Sequence, residues 1–265
     1  METLQKIWNL FLDVIFPPIC VNCLRRGEKA LCDECAARIE INNSFFCPEC
    51  NRRLPARDSL PKNQNLCHPR VKFVLAAAAS YQDRVVRELI HALKYNRAKT
   101  VLEPLGEIIN KYLEKVIRNS KLEIRNFAVV PLPLHPQKER ERGFNQAYLV
   151  AEVLRQCLEV RPPRGSTSQI LTSIREEVEP RKIGIETNNL VRTKNTKSQT
   201  KMKDHEKRQE NVSGAFSLKR PEAIVGQNVI LVDDVFTSGA TMKEAVLVLK
   251  NAGAKKIIGF VIAKT

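Results

Sequence analysis

The chain has few aromatic residues, 6% of 265 positions with a single Trp, and few acids, 29 Asp and Glu against 44 Lys and Arg. The shortage of aromatics removes the stacking array that usually accompanies recognition of single-stranded nucleic acid, so basic residues alone argue weakly for direct DNA binding. The shortage of acids leaves a formal net charge of +15, which favours polyanions such as nucleotides, pyrophosphate or nucleic acid without choosing among them. No apolar run is long enough to span a membrane. Ile7 to Ile15, broken by Asn9 and Asp13 and lacking a small-residue cleavage site, is not a secretory signal. After residue 68 there is one cysteine, Cys157, in a helical pattern that suits a core position. No Ser/His/Asp or Cys/His arrangement is evident.

Seven of the eight cysteines fall before residue 70, and six of those form three Cys-x-x-Cys pairs. Such pairs in one short segment suit thiolate coordination in a reducing compartment better than a disulfide framework. Cys20, Cys23, Cys32 and Cys35 can converge on one tetrahedral ion. Four sulfurs leave no open position for water, so a structural zinc is expected there. A second site stays open: Cys47, Cys50 and Cys67 offer three ligands, but a fourth cysteine would fall at position 70, which is Arg, and His68 could substitute only with altered geometry. Ahead of the cysteines, Leu4, Ile7, Trp8, Phe11, Leu12 and Ile15 make an apolar stripe on a short helix stopped by Pro17 and Pro18. The expected division is an amphipathic helix over 1–18, a cysteine-rich zinc-ribbon module over 19–70 and a main domain over 71–265.

From Val71 onward, β-rich runs alternate with helical patterns. Strands are expected over 71–81, 127–131, 211–216, 229–232 and 257–263, with helices over 85–93, 101–116 and 148–158 between them. That alternation predicts an α/β fold, a parallel sheet covered on both faces with ligand loops at the carboxyl ends of its strands. Residues 159–190, with Pro162, Pro163, Gly165 and Pro180 among charges, read as an insertion. The run from Arg192 through Lys207 and Arg208 reads as a flexible, solvated stretch of charge.

The main domain is organised around Val229 to Thr241. Val-Ile-Leu-Val reads as a strand buried on both faces and ending on Asp233 and Asp234. Val235 and Phe236 follow, and then Thr237, Ser238, Gly239, Ala240 and Thr241 offer hydroxyls, a permissive glycine and backbone N–H groups at a helix start. Thr241 and Glu244 form a capping-box pattern that starts the helix at this point. A phosphate cradle set directly against two carboxylates suits a ribose 5-phosphate: the loop holds the phosphate and the acids accept hydrogen bonds from the diol.

This stretch resembles the 5-phosphoribosyl pyrophosphate (PRPP) signature of the type I phosphoribosyltransferases. Further motifs carry the resemblance along the chain: the knuckles after Phe16-Pro17-Pro18, Lys94-Tyr95, Pro131-Leu-Pro-Leu followed by Arg142-Gly-Phe-Asn-Gln146, Arg192-Thr193 with Gln199, Arg208 with Asn211, and Gly214-Ala-Phe216. Together they are similar to the ComF family of phosphoribosyltransferase-like proteins over roughly residues 15–265, apart from the insertion. The resemblance implies a small zinc-ribbon module preceding a type I phosphoribosyltransferase fold, PRPP bound with Mg²⁺, and a cytoplasmic role in DNA uptake during natural competence. It makes Asp233 and Asp234 the catalytic pair and residues 235–241 the PRPP loop. The pyrophosphate is then assigned to the loop at Pro131 and Leu132, with Arg142, Arg192, Arg208 and Lys94, and the basic run becomes a loop closing over the reaction centre. Implied partners are PRPP or a related ribose phosphate, single-stranded DNA and recombination proteins. An enzyme of this kind would transfer a pentosyl group; the alternative is a non-catalytic, PRPP-sensing adaptor. A zinc-ribbon regulator of transcription would leave the acid-pair loop without a purpose.

Overall fold

The computed structural model describes residues 18–54, 67–68, 71–95, 98–116, 127–159, 184–194 and 213–265. The stripe before Pro17, most of the 159–190 insertion and the basic run from Lys197 onward, Gln199 and Arg208 among it, lie outside the described residues. In chain order the elements are α1 (Asp33–Ala37), β1 (Phe45–Phe46), β2 (Arg53–Leu54), β3 (Val74–Ser80), α2 (Arg84–Lys94), α3 (Ala98–Val116), β4 (Phe127–Pro131) and α4 (Pro136–Arg142). Then follow α5 (Gln146–Glu159), β5 (Leu190–Arg192), β6 (Phe216–Leu218), a 3₁₀ turn at Pro221–Ile224, β7 (Asn228–Phe236), α6 (Ala240–Asn251) and β8 (Lys256–Lys264).

Six strands form one sheet in the order β2-β1-β3-β8-β7-β4. β3, β8, β7 and β4 run parallel, while β1 is antiparallel to both β2 and β3. Side chains alternate between the two faces of a strand, and each face here has its own cover. Along β3, Val74, Ala76 and Ala78 pack with α2, α3 and α5, whereas Leu75 and Ala77 pack with α6 and the β5–β6 pair. Along β7, Ile230 and Val232 join the first layer, and Val229 and Leu231 the second. Intrinsic propensity would put the four alanines of β3 in a helix. Pairing on both edges, with β8 and with β1, makes them a strand instead. α2 is capped by Asp83, whose carboxylate accepts the N–H groups of Val85 at 2.7 Å and Val86 at 3.3 Å.

The cysteine-rich segment is built into this sheet. Asn42 donates its backbone N–H to Ala78 and its side-chain amide to Ala77, both at 2.9 Å. The Tyr112 hydroxyl, on α3, donates to the Ser44 carbonyl at 3.2 Å. Cys20, Cys35, Ile41 and Phe45 are buried in one core with β3, α2 and α3.

Several sequence expectations change on contact with the structure. β7 does not stop at the acids; it runs on to Phe236, because β8 continues beside it to the Phe236–Lys264 register. α6 starts at Ala240 with Gly239 as its N-cap, at φ +73° and with no side-chain cap. Glu244, read as half of a capping box, instead accepts the Gly214 N–H at 2.6 Å. The stretch after Leu132 is a loop only as far as His135, since Pro136 supplies the first helical φ of α4 and His135 Nδ1 accepts the Gln137 N–H at 3.3 Å. The end of the expected insertion belongs to the fold: Ile185 bridges in parallel to Val129, and the Glu186 N–H donates to Val129 at 2.9 Å. The strand expected over 211–216 begins only at Phe216, after a turn at Gly214 with φ +62°.

Candidate functional site

Because side chains alternate along β7, its two consecutive acids face different covers. Asp234, 7% exposed, falls on the α2 side, where Lys94 Nζ lies 3.0 Å from its Oδ2. The contact is ionic, with angles outside those of a hydrogen bond. Asp233 falls on the β5 side, within the electrostatic reach of Arg192, and its Oδ1 accepts the Asp234 N–H at 2.8 Å. Burial, reinforced by the Asp234 charge, pushes the Asp233 carboxyl up to about 8. Burial pulls the Lys94 ammonium down, but the charges of Asp234 and Asp233 outweigh it and hold that pKa above its ordinary value. The two acids and the lysine therefore act on one another's charge at the end of β7.

The cradle follows without a break. Thr237 is exposed, Ser238 and Thr241 are half-buried, and the Ser238 hydroxyl accepts the Ala240 N–H at 3.5 Å. Gly239 is required twice over: its φ is +73°, and a Cβ there would come within 2.6 Å of Phe236 Cε2 and closer still to Cζ. The buried Phe236 ring is thus the floor of the turn.

Cations gather beyond the neighbouring strand β4 and on β5. Lys138 and Arg142 lie on α4, which follows β4, and burial together with the charges of Arg192 and Arg142 pulls the Lys138 pKa down. Arg192 reaches this group from β5, its guanidinium 5.4 Å from the centre of the Phe216 ring. Pro131 and Leu132 serve differently from the other pyrophosphate candidates. Pro131 has no N–H, the Leu132 N–H donates to Val232 at 2.8 Å, and the Leu132 carbonyl accepts Asn145 Nδ2 at 3.1 Å, so these two residues form the stiff base of the loop rather than donors to an anion. Asn145 also accepts the Ala147 N–H at 3.0 Å, which fixes the start of α5. At the edge of the site, the Thr193 N–H donates to Ala215 and Lys194 Nζ to Ser213, both at 2.9 Å. The chain therefore leaves for residues 195–212 and returns from them at one place, next to Arg192.

The cysteines make two clusters, Cys20, Cys23, Cys32 and Cys35, and Cys47, Cys50, Cys67 and His68, with the ligand atoms of each within 4.8 Å of one another. Four thiols, and three thiols with an imidazole, are both tetrahedral zinc donor sets, and the double zinc ribbon reported below makes zinc their structural ion. His68, with Nδ1 3.5 Å from Cys47 Sγ, supplies the ligand that position 70 lacks. The two knuckles are built alike. Leu24 and Asn51 are the only non-glycine residues at positive φ among the described residues, and each follows the second cysteine of its pair. Their N–H groups donate to Cys20 and Cys47 at 3.0 Å, while the Cys20 and Cys47 N–H groups donate to Arg25 and Arg52 at 2.9 Å. The sequence signal for this equivalence is the repeated Cys-x-x-Cys-x-Arg-Arg at residues 20–26 and 47–53. Cys50 is exposed, whereas Cys20 and Cys35 are buried. Zinc release to a chelator, followed with a metallochromic indicator, is expected in two steps of about one ion each, the Cys47 cluster emptying first; a single step would contradict this.

Residues 187–264 match the model of the phosphoribosyl transferase domain, and residues 11–69 match that of the double zinc ribbon domain. The mostly parallel sheet, its helical covers and the two cysteine clusters thus define an α/β phosphoribosyltransferase-type fold carried behind a double zinc ribbon. Over nearly its full length the chain is similar to Competence protein ComFC of Bacillus subtilis, at 25% identity over 91% of this chain and 87% of that protein. It is similar also to DNA utilization protein YhgH of Escherichia coli K12, at 28% identity over 90% of this chain and 93% of that one. A third relative, Competence protein F of Haemophilus influenzae, is 26% identical over 64% of this chain and 63% of its own length. The chain is a homologue of these ComF-type proteins. Among the described residues no helix is long and apolar enough to cross a membrane.

Proposed function

We propose that the chain binds PRPP together with Mg²⁺ at the carboxyl ends of β7 and β4 and that it serves DNA uptake in the cytoplasm, a role in keeping with relatives named for competence and DNA utilization. The observation that carries this reading is the meeting of an acid pair and a glycine-turned phosphate cradle at the end of β7 with three crowded cations, two on the helix after the adjacent parallel strand β4 and one on β5. The amides and hydroxyls of Thr237 to Thr241 hold the 5-phosphate at the start of α6. Asp233 and Asp234 accept hydrogen bonds from the ribose hydroxyls. Lys138, Arg142 and Arg192 take the pyrophosphate, whose charge relieves their mutual repulsion. The hard carboxylate oxygens fit Mg²⁺, Asp234 Oδ2 being held by an ionic contact alone. Mg²⁺ arriving with the ligand would screen the pyrophosphate charge. This arrangement suits displacement of pyrophosphate from the anomeric carbon, with the acids easing positive charge at the ring. The Lys94–Asp234 pair favours a second reading, a sensor that binds PRPP without turnover and engages single-stranded DNA or recombination proteins, because it occupies the acid that a reacting ribose would need.

Calorimetric titration of the zinc-loaded chain with PRPP and Mg²⁺, beside an assay for pyrophosphate release, tests both readings. Release marks an enzyme, binding without release marks either the sensor or an enzyme whose acceptor is missing from the tube, and the absence of binding overturns the site. A proton count comes from the same experiment. Below about pH 8 the free protein keeps Asp233 protonated, among Asp234 on its own strand, Lys94 from α2 and Arg192 from β5. A ligand that brings Mg²⁺ and hydroxyl donors favours the ionised carboxylate. Binding at pH 7 is therefore expected to release up to about one proton, read from titrations in buffers of different ionisation heat, and affinity should rise from pH 6 to 8. Proton uptake would contradict this assignment.

A further inference from the structure

The second zinc knuckle touches the phosphate cradle by two separate routes, neither of which uses a zinc ligand. Glu49 lies between the ligands Cys47 and Cys50, and its Oε2 is 2.9 Å from Lys243 Nζ. Lys243 is in the first turn of α6, where its N–H closes onto the Gly239 carbonyl at 2.8 Å, the bond that shapes the cradle. This ion pair joins residues 194 positions apart. The second route starts at Phe46, the residue before Cys47, which is 3% exposed and packs in the same core as Phe236, Ala240 and Met242. Lys264 Nζ stands 4.4 Å from the centre of the Phe46 ring, and Lys264 is the register partner of Phe236. The Thr265 N–H donates to the Phe236 carbonyl at 3.1 Å, and Phe236 is the ring beneath Gly239. One route thus fixes the wall of the cradle through charge and the other fixes its floor through packing.

A phosphate cradle made of backbone amides binds only as well as those amides are held, because the ligand must otherwise provide the ordering itself. The cradle has no side-chain cap of its own at Gly239. Within reach of its first turn is the zinc knuckle, whose geometry a tetrahedral ion would set.

We propose that Glu49 and Phe46 are positioning residues for the phosphate cradle, so that ribose-phosphate affinity depends on zinc in the Cys47, Cys50, Cys67 and His68 site. The effect on affinity rests on the PRPP reading above; the effect on cradle order does not. Zinc in this cluster then acts on the ligand site without touching the ligand, and a chain that had lost this ion would hold its fold elsewhere while its cradle loosened.

The full-length chain tests this with Glu49→Lys, Lys243→Glu, the charge-swapped double variant and Cys50→Ser. Each is measured for bound zinc, for calorimetric affinity toward PRPP with Mg²⁺, and for hydrogen exchange of amides 237–241. Glu49→Lys should keep both zinc ions yet bind about 3- to 10-fold more weakly, with faster exchange in the cradle. The double variant should recover most of that loss. Cys50→Ser should carry one zinc and lose about 10-fold or more, the cradle amides exchanging faster still. Unchanged exchange of amides 237–241 in both Glu49→Lys and Cys50→Ser would overturn the proposal, as would a Glu49→Lys defect that the charge swap leaves in place. If the wild-type chain binds no PRPP, the ligand reading falls by itself, and the exchange rates still decide whether the knuckle holds the cradle.

Discussion

Replacement of Asp234 by Asn should weaken PRPP binding by about 100-fold or more and destabilise the fold by about 2 kcal/mol. Two losses combine. Charge-assisted hydrogen bonds to a ligand contribute about 1.5–3 kcal/mol each, enough for one to two decades of affinity. The amide also leaves Lys94, a half-buried ammonium, without the counter-charge that holds its pKa above the ordinary value. A lysine whose folded pKa is raised stabilises the fold at every pH below the ordinary 10.5, and the contribution fades only as pH rises through the higher folded value. The stability loss in Asp234→Asn should therefore be full at neutral pH. Adding Lys94→Met separates the two effects: stability by urea unfolding should return, while PRPP affinity by calorimetry should not. A double variant that bound PRPP as tightly as the wild type would remove Asp234 from the site.

A single methyl group at Gly239 should be nearly as damaging. The φ of +73° costs a non-glycine residue about 1 kcal/mol, and the new Cβ meets a buried ring that has no room to swing away. Gly239→Ala should thus lose about 2–4 kcal/mol of stability or relax by turning the Ser238–Ala240 amides away from the ligand, with at least a tenfold drop in PRPP affinity. Phe236→Leu in the Gly239→Ala background makes space beneath the turn and should recover part of the stability. Thermal unfolding with and without PRPP checks this; a Gly239→Ala chain that bound and melted as the wild type would show that the turn is not under the constraint described.

The parts of this molecule that were legible in sequence are those written in short-range patterns. β4 is found at its expected bounds, 127–131, because five consecutive residues carry its signal. The acid-pair strand and its glycine turn were legible for the same reason. What the sequence concealed depends on pairings across the chain. Thr241 and Glu244 have the spacing of a capping box, but an amide 30 residues away, at Gly214, takes the Glu244 carboxylate. Lys94 reads as an ordinary cation at a helix end until β7 places Asp234 beside it. The second zinc cluster stayed open in sequence because a fourth cysteine would fall at Arg70 and His68 fitted only with altered geometry, whereas the backbone repeat that equates Leu24 with Asn51 shows in the structure as two positive φ angles. Lys138, Arg142 and Arg192 look in sequence like parts of two unrelated basic stretches, and only the β4–β7 pairing and the β5–β6 ribbon bring them together.

Where β1 lies on the sheet has a consequence for the life of the chain outside the folded state. β3 is Val-Leu-Ala-Ala-Ala-Ala-Ser, with no charge and no proline, and without β1 its row of amides and carbonyls would be the rim of the sheet. Such a rim invites a second molecule to pair with it. Among the described residues, the two residues of β1, the Ile41–Ala79 bridge and the Asn42 amides stand in the way, and all of them belong to the cysteine-rich segment. Covering that edge is thus a second task of the cysteine-rich segment, and a chain in which the segment came away from β3 would present a charge-free strand to its neighbours.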